Sequence, residues 1–304
     1  MDFVTIRTAT LRGDQKIDFD VYIQVGEKHI AYLRKGDAFD GTRLERLKAK
    51  KLKKLFIRPE EEQAYRDYVT QNIEIAYAKT DRPIEARAEV IQGAQQSSAE
   101  AVLEAPENQA NYSQAKEGAS RYVDFLMKEE KAVQAMLNIE NTDRDLAHHG
   151  VTVSTLSVLI ANKLGLASDR VALLALGALL HDFGHVKAAY PLFKAPTELD
   201  APSRIEYMKH AMLGGQTVRT HRHFDEAVIK IIVEHEELID GSGYPQKLQE
   251  KNTDPLSVIV STANDFDRLM LNEKLTRAEA VKKFTVSRVG LHPLEHFKIL
   301  KSIV

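Results

Sequence analysis

His181 and Asp182 stand side by side where an apolar run, Val171–Leu180, gives way to polar residues in the stretch Ala178-Leu-Leu-His-Asp-Phe-Gly184. A neutral imidazole and a carboxylate in succession can face one cavity and hold one or two hard or borderline cations. Taken alone, the dipeptide reads equally as a helix cap or a hydrogen-bonded polar pair. Its company favours the cation. Downstream come His210, then Glu234-His235-Glu236-Glu237, then Asp240-Gly-Ser-Gly-Tyr-Pro245, and upstream lies Asp145 with His148-His149. Separated clusters of histidine and carboxylate in one stretch of chain argue for convergence on a single site.

The rest of the composition narrows the chemistry. With 304 residues, 43% of them apolar, the chain can bury a sizeable core and has the length of about two domains. Forty-two basic residues balance 44 acidic ones, so no global field argues for DNA or for an acidic tail. There is no cysteine, which removes disulfides, thiolate ligands and cysteine nucleophiles, so any metal must sit on nitrogen and oxygen. The N-terminus has no basic region followed by an apolar core, and no stretch approaches the length of a membrane span. The expected location is the cytoplasm.

Ile17–Val25 alternates apolar and polar residues, and Lys28–Arg34 repeats the pattern after Gly26-Glu27, which predicts a two-stranded hairpin. A lysine-rich helix over Thr42–Lys54, a short strand Leu55–Ile57 stopped by Pro59, and a helix over Glu60–Lys79 complete a small α/β module, residues 1–80. Its lysines could touch phosphates or form a solvated face. A helical connector is expected over 81–108. From 109 to 304 nearly everything has helical spacing, with helices expected over Tyr112–Leu137, Asp143–Leu164, Asp169–Leu180, Arg204–His221, Asp225–Glu237, Pro255–Leu271 and Arg277–Val286. The expected fold class is α+β overall: a small α/β module followed by an all-α domain. In the first of these helices Tyr122, Phe125, Leu126, Val133 and Leu137 suit either a core face or pairing with a second copy.

Asp145 and His149 are four residues apart and share a helix face, whereas His148 points about 100° away from His149. Asp182 is the natural carboxylate to bridge two cations about 3.5–4 Å apart. His210 lies on its own helix, His235-Glu236 ends the next, and the glycines of Asp240–Pro245 permit close backbone approach, as a bare turn or as the lip of a pocket.

The series His149, His181-Asp182-Phe-Gly, His210, His235 and Asp240-Gly-Ser-Gly-Tyr-Pro245 resembles the HD-GYP branch of the HD-domain metal-dependent phosphohydrolases, over roughly residues 143–290. Lys194, Leu199, Glu206 and Gly214 fall where that family places the linker before the third histidine. The resemblance implies an all-helical domain with two or three iron or manganese ions that cleaves cyclic di-GMP. It implies metal ligation by His149, His181, Asp182, His210 and His235, a third ion near Asp145, and a substrate contact from Gly243-Tyr244. Asp182 and His185 become the candidate catalytic groups, with His185 also placed at the substrate.

Departures from the family pattern are as informative. Glu236 stands where a second adjacent histidine is usual, and Asn264 and Asp267 align with an Asp-x-x-Asp helix, Asp265 being displaced by one residue. Asn264 is then a neutral, weaker ligand, with Glu236 and Asp267 as further metal candidates. His185 replaces a lysine, exchanging a permanent cation for a group expected to titrate near neutrality. Glu273 and Thr276 replace a basic pair, leaving Lys274 and Arg277, each one residue displaced, as candidate phosphate contacts. Two readings remain open: an active phosphodiesterase for cyclic di-GMP or a related cyclic dinucleotide, or a non-catalytic domain that binds metal and a nucleotide or a signalling partner. A homodimer is compatible with either.

Overall fold

The computed structural model describes residues 3–303 apart from 13, 14, 39–41, 44, 45, 48, 49, 51, 53, 79, 80, 130, 140–145, 187, 189, 192 and 193. Asp145 and six of the thirteen residues of the expected helix over 42–54 therefore lie outside the described residues. Contacts divide the chain into two units, Met1–Ser97 and Ser98–Val304.

In the first unit β1 (Val4–Arg7), β2 (Val21–Val25), β3 (Lys28–Leu33) and β4 (Lys54–Ile57) form one antiparallel sheet in the order β1-β4-β2-β3. The expected hairpin is β2–β3, turning at Gly26, whose φ of 61° favours a residue without a side chain. Only Val21–Val25 of the alternating run pairs with a neighbouring strand. The register Val4↔Ile57 and Ile6↔Leu55 adds β1, too short at four residues to declare itself by alternation. Inward residues Ile6, Phe19, Val21, Leu33, Leu55 and Ile57 make one cluster with Tyr68 of helix α1 (Glu62–Tyr77). That helix starts later than expected because Pro59–Glu61 forms a tighter 3-10 turn first.

Helix α2 (Ile84–Glu104) runs across the division between the units. The second unit continues with α3 (Gln109–Lys128), α4 (Ala132–Leu137), α5 (Leu146–Lys163), α6 (Ser168–Leu180), α7 (Ala201–Tyr207), α8 (His210–Arg219), α9 (Glu226–Glu234), α10 (Pro255–Glu273), α11 (Arg277–Ser287) and α12 (Leu294–Leu300). Two expected helices are broken. Tyr112–Leu137 divides after Lys128, where the run Lys-Glu-Glu-Lys offers nothing apolar to bury, and Arg204–His221 divides between Tyr207 and His210. Tyr122, Phe125 and Leu126 pack in the core, while Val133 and Leu137 are partly covered. The two-turn α12 has no counterpart in the sequence reading.

Helix α5 is buried from Ala147 to Ala161 on almost every face, including His148, as a central helix must be, with its buried Ser154 and Thr155 hydroxyls hydrogen-bonded to backbone carbonyls. It packs against α6 and α10, and α9 packs against both of these. The fold class is thus α+β, a small antiparallel sheet followed by a helical unit. Among the described residues no helix is long and apolar enough to cross a membrane.

Candidate metal centre

Three histidines use one local device. His181 directly follows α6, His235 directly follows α9, and His210 comes three residues after the end of α7. The last carbonyls of a helix have no intrahelical partner. Each of these imidazoles folds back and donates its Nδ1–H to the carbonyl three residues earlier: His181 to Ala178 at 2.6 Å, His210 to Tyr207 at 2.6 Å, His235 to Ile232 at 3.0 Å. A carbonyl can only accept, so Nδ1 carries the proton and Nε2 presents a lone pair. His149, from within α5, reaches the same state against a carboxylate, with Nδ1 2.6 Å from Asp267 Oδ2. Partners of this kind fix the tautomer and rotation of metal-binding histidines.

The Nε2 atoms converge on Asp182. Nε2 of His181 lies 3.5 Å from Oδ1, and Nε2 of His185, His210 and His235 each lie 3.6 Å from it. His149 Nε2 is 3.6 Å from the other oxygen, Oδ2. His210 and His235 bring their Nε2 atoms to 2.9 Å. With both Nδ1 protons committed to carbonyls, that contact sets two lone pairs against each other and cannot be a hydrogen bond between neutral rings. For metal–nitrogen bonds of about 2.1 Å, ligands at right angles stand about 3 Å apart, so one cation would turn this repulsion into coordination. His149 Nε2 makes a similar approach, 3.0 Å, to Asn264 Oδ1. Asp182 Oδ1, His181 Nε2 and His185 Nε2 are buried without a hydrogen-bond partner. Two ligand groups sharing Asp182 satisfy the spacing of a bound ion: His149, His181 and Asp182, and Asp182, His210 and His235. The residues fit metal.

Electrostatics agree. Burial drives the His181 and His210 imidazoles well below their usual range, keeping them neutral as ligands must be. Burial alone would raise the Asp182 carboxyl, but the Arg268 guanidinium, followed by His181 and His185, outweighs it and holds the carboxyl well below the usual range. Glu236 goes the other way, raised chiefly by burial, with Oε1 3.8 Å from Nε2 of both His210 and His235.

Several expectations need correcting. His185 does not titrate near neutrality: burial lowers it to about 3, and it stacks on His210 with ring centroids 3.9 Å apart, its Nδ1 2.6 Å from Tyr190 Oη. Asp267 sits behind His149 on the far nitrogen, away from the converging Nε2 atoms. Asn264 lies at the cluster, its amide donating to Glu236 Oε1 at 3.4 Å. Asp265 faces elsewhere, accepting from Arg288 at 2.7 Å with His292 at 3.0 Å, as a turn of about 100° requires. Lys274 takes a left-handed conformation to cap α10 and is exposed, and Arg277 donates to Gln134 and Asn138 beside α4. No hydrogen bond or ion pair among the described residues carries either cation to the cluster.

One participant was missed by sequence reasoning. Arg268, one turn beyond Asn264 on α10, donates from Nη2 to Asp182 Oδ2 at 2.8 Å and from Nε to Asn264 Oδ1 at 3.0 Å, with its guanidinium 5.5 Å over the Tyr207 ring. The i,i+4 spacing from Asn264 was the available signal.

The Asp240–Pro245 loop is pinned beside this cluster. Glu237 accepts backbone N–H groups from Gln246 at 2.6 Å and Leu248 at 2.9 Å, and Tyr244 N–H donates to Glu236 O at 3.1 Å. A Cβ on Gly243 would fall 2.5 Å from Glu236 O and from Glu237 Cα, so only glycine allows the loop to lie this close. The loop carries Tyr244 against Tyr190 and Tyr207, with its hydroxyl buried and unpartnered. Gly184 likewise has no room for a side chain against the His210 carbonyl, which seats the His181–His185 turn on the start of α8.

The sequence profile of the HD domain family matches residues 128–287, and the chain belongs to that family. Over 99% of both chains it superposes on the solved structure of Bd1817, an HDG"Y"P protein from Bdellovibrio bacteriovorus, with a TM-score of 0.92 and 49% identity. That likeness and the intact Gly-Tyr-Pro loop place it in the HD-GYP branch. It is 31% identical over 160 residues to a cyclic di-GMP phosphodiesterase of Thermotoga maritima, covering 51% of this chain and 42% of the relative. It is 23% identical over 187 residues to a cyclic di-GMP phosphodiesterase of Pseudomonas aeruginosa, covering 56% of this chain and 45% of the relative. The chain spans less than half the length of either curated relative.

Proposed function

We propose that the helical unit is a metal-dependent phosphodiesterase that hydrolyses cyclic di-GMP or a related cyclic dinucleotide. The observation that supports this most is the convergence of lone-pair-bearing imidazole nitrogens on the two oxygens of one buried carboxylate, in a chain similar to named cyclic di-GMP phosphodiesterases. His149, His181 and Asp182 would hold one ion, and Asp182, His210 and His235 a second, with Glu236 and Asn264 beside them. Nitrogen and oxygen donors without sulfur suit iron or manganese. Bound there, the ions would supply positive charge against the phosphoryl oxygens and lower the pKa of a coordinated water.

The chain's own groups do the rest. Burial pushes the Tyr244 hydroxyl well up, so it stays protonated and can donate to a phosphoryl oxygen. His185, neutral near pH 7, can offer its unpartnered Nε2 as a hydrogen-bond acceptor at the cluster's edge. Gly243 lets the loop carrying Tyr244 approach the cluster. Residues 1–80, joined through 81–108, would act as a regulatory module in the cytoplasm that receives a signalling partner or a second copy of the chain.

A second reading, a metal-loaded domain that binds without turnover, is favoured by the Arg268–Asp182 ion pair and by neutral Asn264. Product analysis separates the two. Full-length protein loaded anaerobically with iron or manganese is incubated with cyclic di-GMP and with a mixed GMP–AMP cyclic dinucleotide, beside Asp182→Ala. Metal-dependent release of linear dinucleotide or mononucleotide supports the enzyme; loaded protein that releases neither from any cyclic dinucleotide overturns it in favour of the second reading.

A further inference from the structure

The two halves of the candidate centre are not equivalent. On the His210–His235 side, the carboxylate oxygen that the rings face, Asp182 Oδ1, has no hydrogen-bond partner, and the imidazole nitrogens stand 2.9 Å apart with lone pairs opposed. On the His149 side, the oxygens available to an ion are Asp182 Oδ2 and Asn264 Oδ1, and both already accept from one permanent cation. Arg268 reaches the first at 2.8 Å through Nη2 and the second at 3.0 Å through Nε. Arg268 is itself largely buried, its side chain 12% exposed.

Charge adds to the asymmetry. Asp182 is the carboxylate common to both halves. Besides Asp182 the His149 side adds only the His149 and His181 imidazoles and the Asn264 amide, none of them an anion, and it carries a guanidinium; the His210–His235 side adds the Glu236 carboxyl at 3.8 Å from both rings. A divalent ion entering the His149 half would meet a +1 charge a few ångströms away in a largely buried site, where charges interact several times more strongly than in solvent. It would also draw on lone pairs already engaged by the guanidinium.

We infer that Arg268 is an internal cation that makes the centre load unequally: a first ion binds tightly between His210 and His235, and a second binds beside His149 only against the guanidinium. This rests on the reading of the cluster as a metal centre. It gives the chain a residue that sets metal stoichiometry without itself binding metal. The ion pair also balances the charge of buried Asp182 before any ion arrives, so the apoprotein does not hold an uncompensated carboxylate in its core.

The test is a titration of metal-free full-length protein with Mn2+ alone, read by equilibrium dialysis and by electron paramagnetic resonance, which distinguishes an isolated ion from an exchange-coupled pair. In the unsubstituted protein the second ion is expected to bind at least about tenfold more weakly than the first. In Arg268→Gln the second ion tightens at least about tenfold, with coupled-pair signal appearing at lower Mn2+, while the first is little changed. Should Arg268→Gln not fold, a second comparison reads the same asymmetry: His149→Ala retains the tight ion and His235→Ala loses it. Two indistinguishable ions in the unsubstituted protein, a second ion unchanged or weakened by Arg268→Gln, or equal losses in His149→Ala and His235→Ala would each overturn the inference. Absence of any bound Mn2+ would overturn the metal-centre reading itself, and the inference with it.

Discussion

His210 and His235 place their Nε2 atoms 2.9 Å apart while each donates Nδ1–H to a carbonyl three residues back. Neither ring has a proton left for the other. A proton is a poor cation to reconcile them, because burial, then His185 and His235, holds His210 well below its usual range. A metal ion is the better one. Mn2+ at a hundredfold excess over its dissociation constant is therefore expected to stabilise the protein by about 3 kcal/mol. Thermal denaturation checks this, and in His235→Ala the metal-induced rise in Tm disappears.

Asp182 is both the shared ligand and the partner of Arg268. Asp182→Asn removes the charge common to both halves and leaves a guanidinium largely buried without its counterion, which typically costs about 3–5 kcal/mol. Urea denaturation of the metal-free variant is expected to show that loss, with metal binding abolished at the same time. A substitution that removed metal and left apo stability unchanged would show the ion pair to be absent in solution.

Away from the cluster, His296 is 4% exposed, beside Thr262 at 2.8 Å, and is lowered to about 4 by burial and then by neighbouring His292. In the unfolded chain it titrates near 6.5. Between these values the unfolded state binds the extra proton, so His296 makes stability fall as pH drops through this window. Its share between pH 7 and pH 5 is about 2 kcal/mol. Urea midpoints across that range, compared with His296→Gln, should show the variant's curve to be flatter on the acid side.

Tyr244 tests the division between folding and chemistry. Its hydroxyl is buried with no hydrogen-bond partner, so Tyr244→Phe removes an unmet polar group. Tm is expected to stay level or rise. If that hydroxyl donates to substrate, kcat/KM for a cyclic dinucleotide falls by about tenfold or more, the size of one hydrogen bond to a charged acceptor.

Much of this was legible in the sequence, for physical reasons that vary by residue. The helices α5, α6, α9 and α10 follow from their apolar spacing, and the His–carboxylate clusters were recognisable because they interrupt it. Less visible were effects that depend on the three-dimensional surroundings. The titration of His185 is set by burial against His210 and Tyr190, which no local pattern reveals. Asp267 lies behind His149 rather than at the cluster because, three residues beyond Asn264, it points about 60° around the helix from it. Arg268 carries no local mark in the sequence, and only the course of α10 brings it to Asp182. Lys274 and Arg277 were drawn to the site by alignment alone, whereas the end of α10 sends them elsewhere.

The most direct test of the central claim is the anomalous diffraction of crystals of the manganese-loaded protein. A peak within coordination distance of His210 Nε2, His235 Nε2 and Asp182 Oδ1 is the expected result. Crystals of folded protein in Mn2+ with no anomalous peak there, and with the two imidazoles still facing one another, would contradict it.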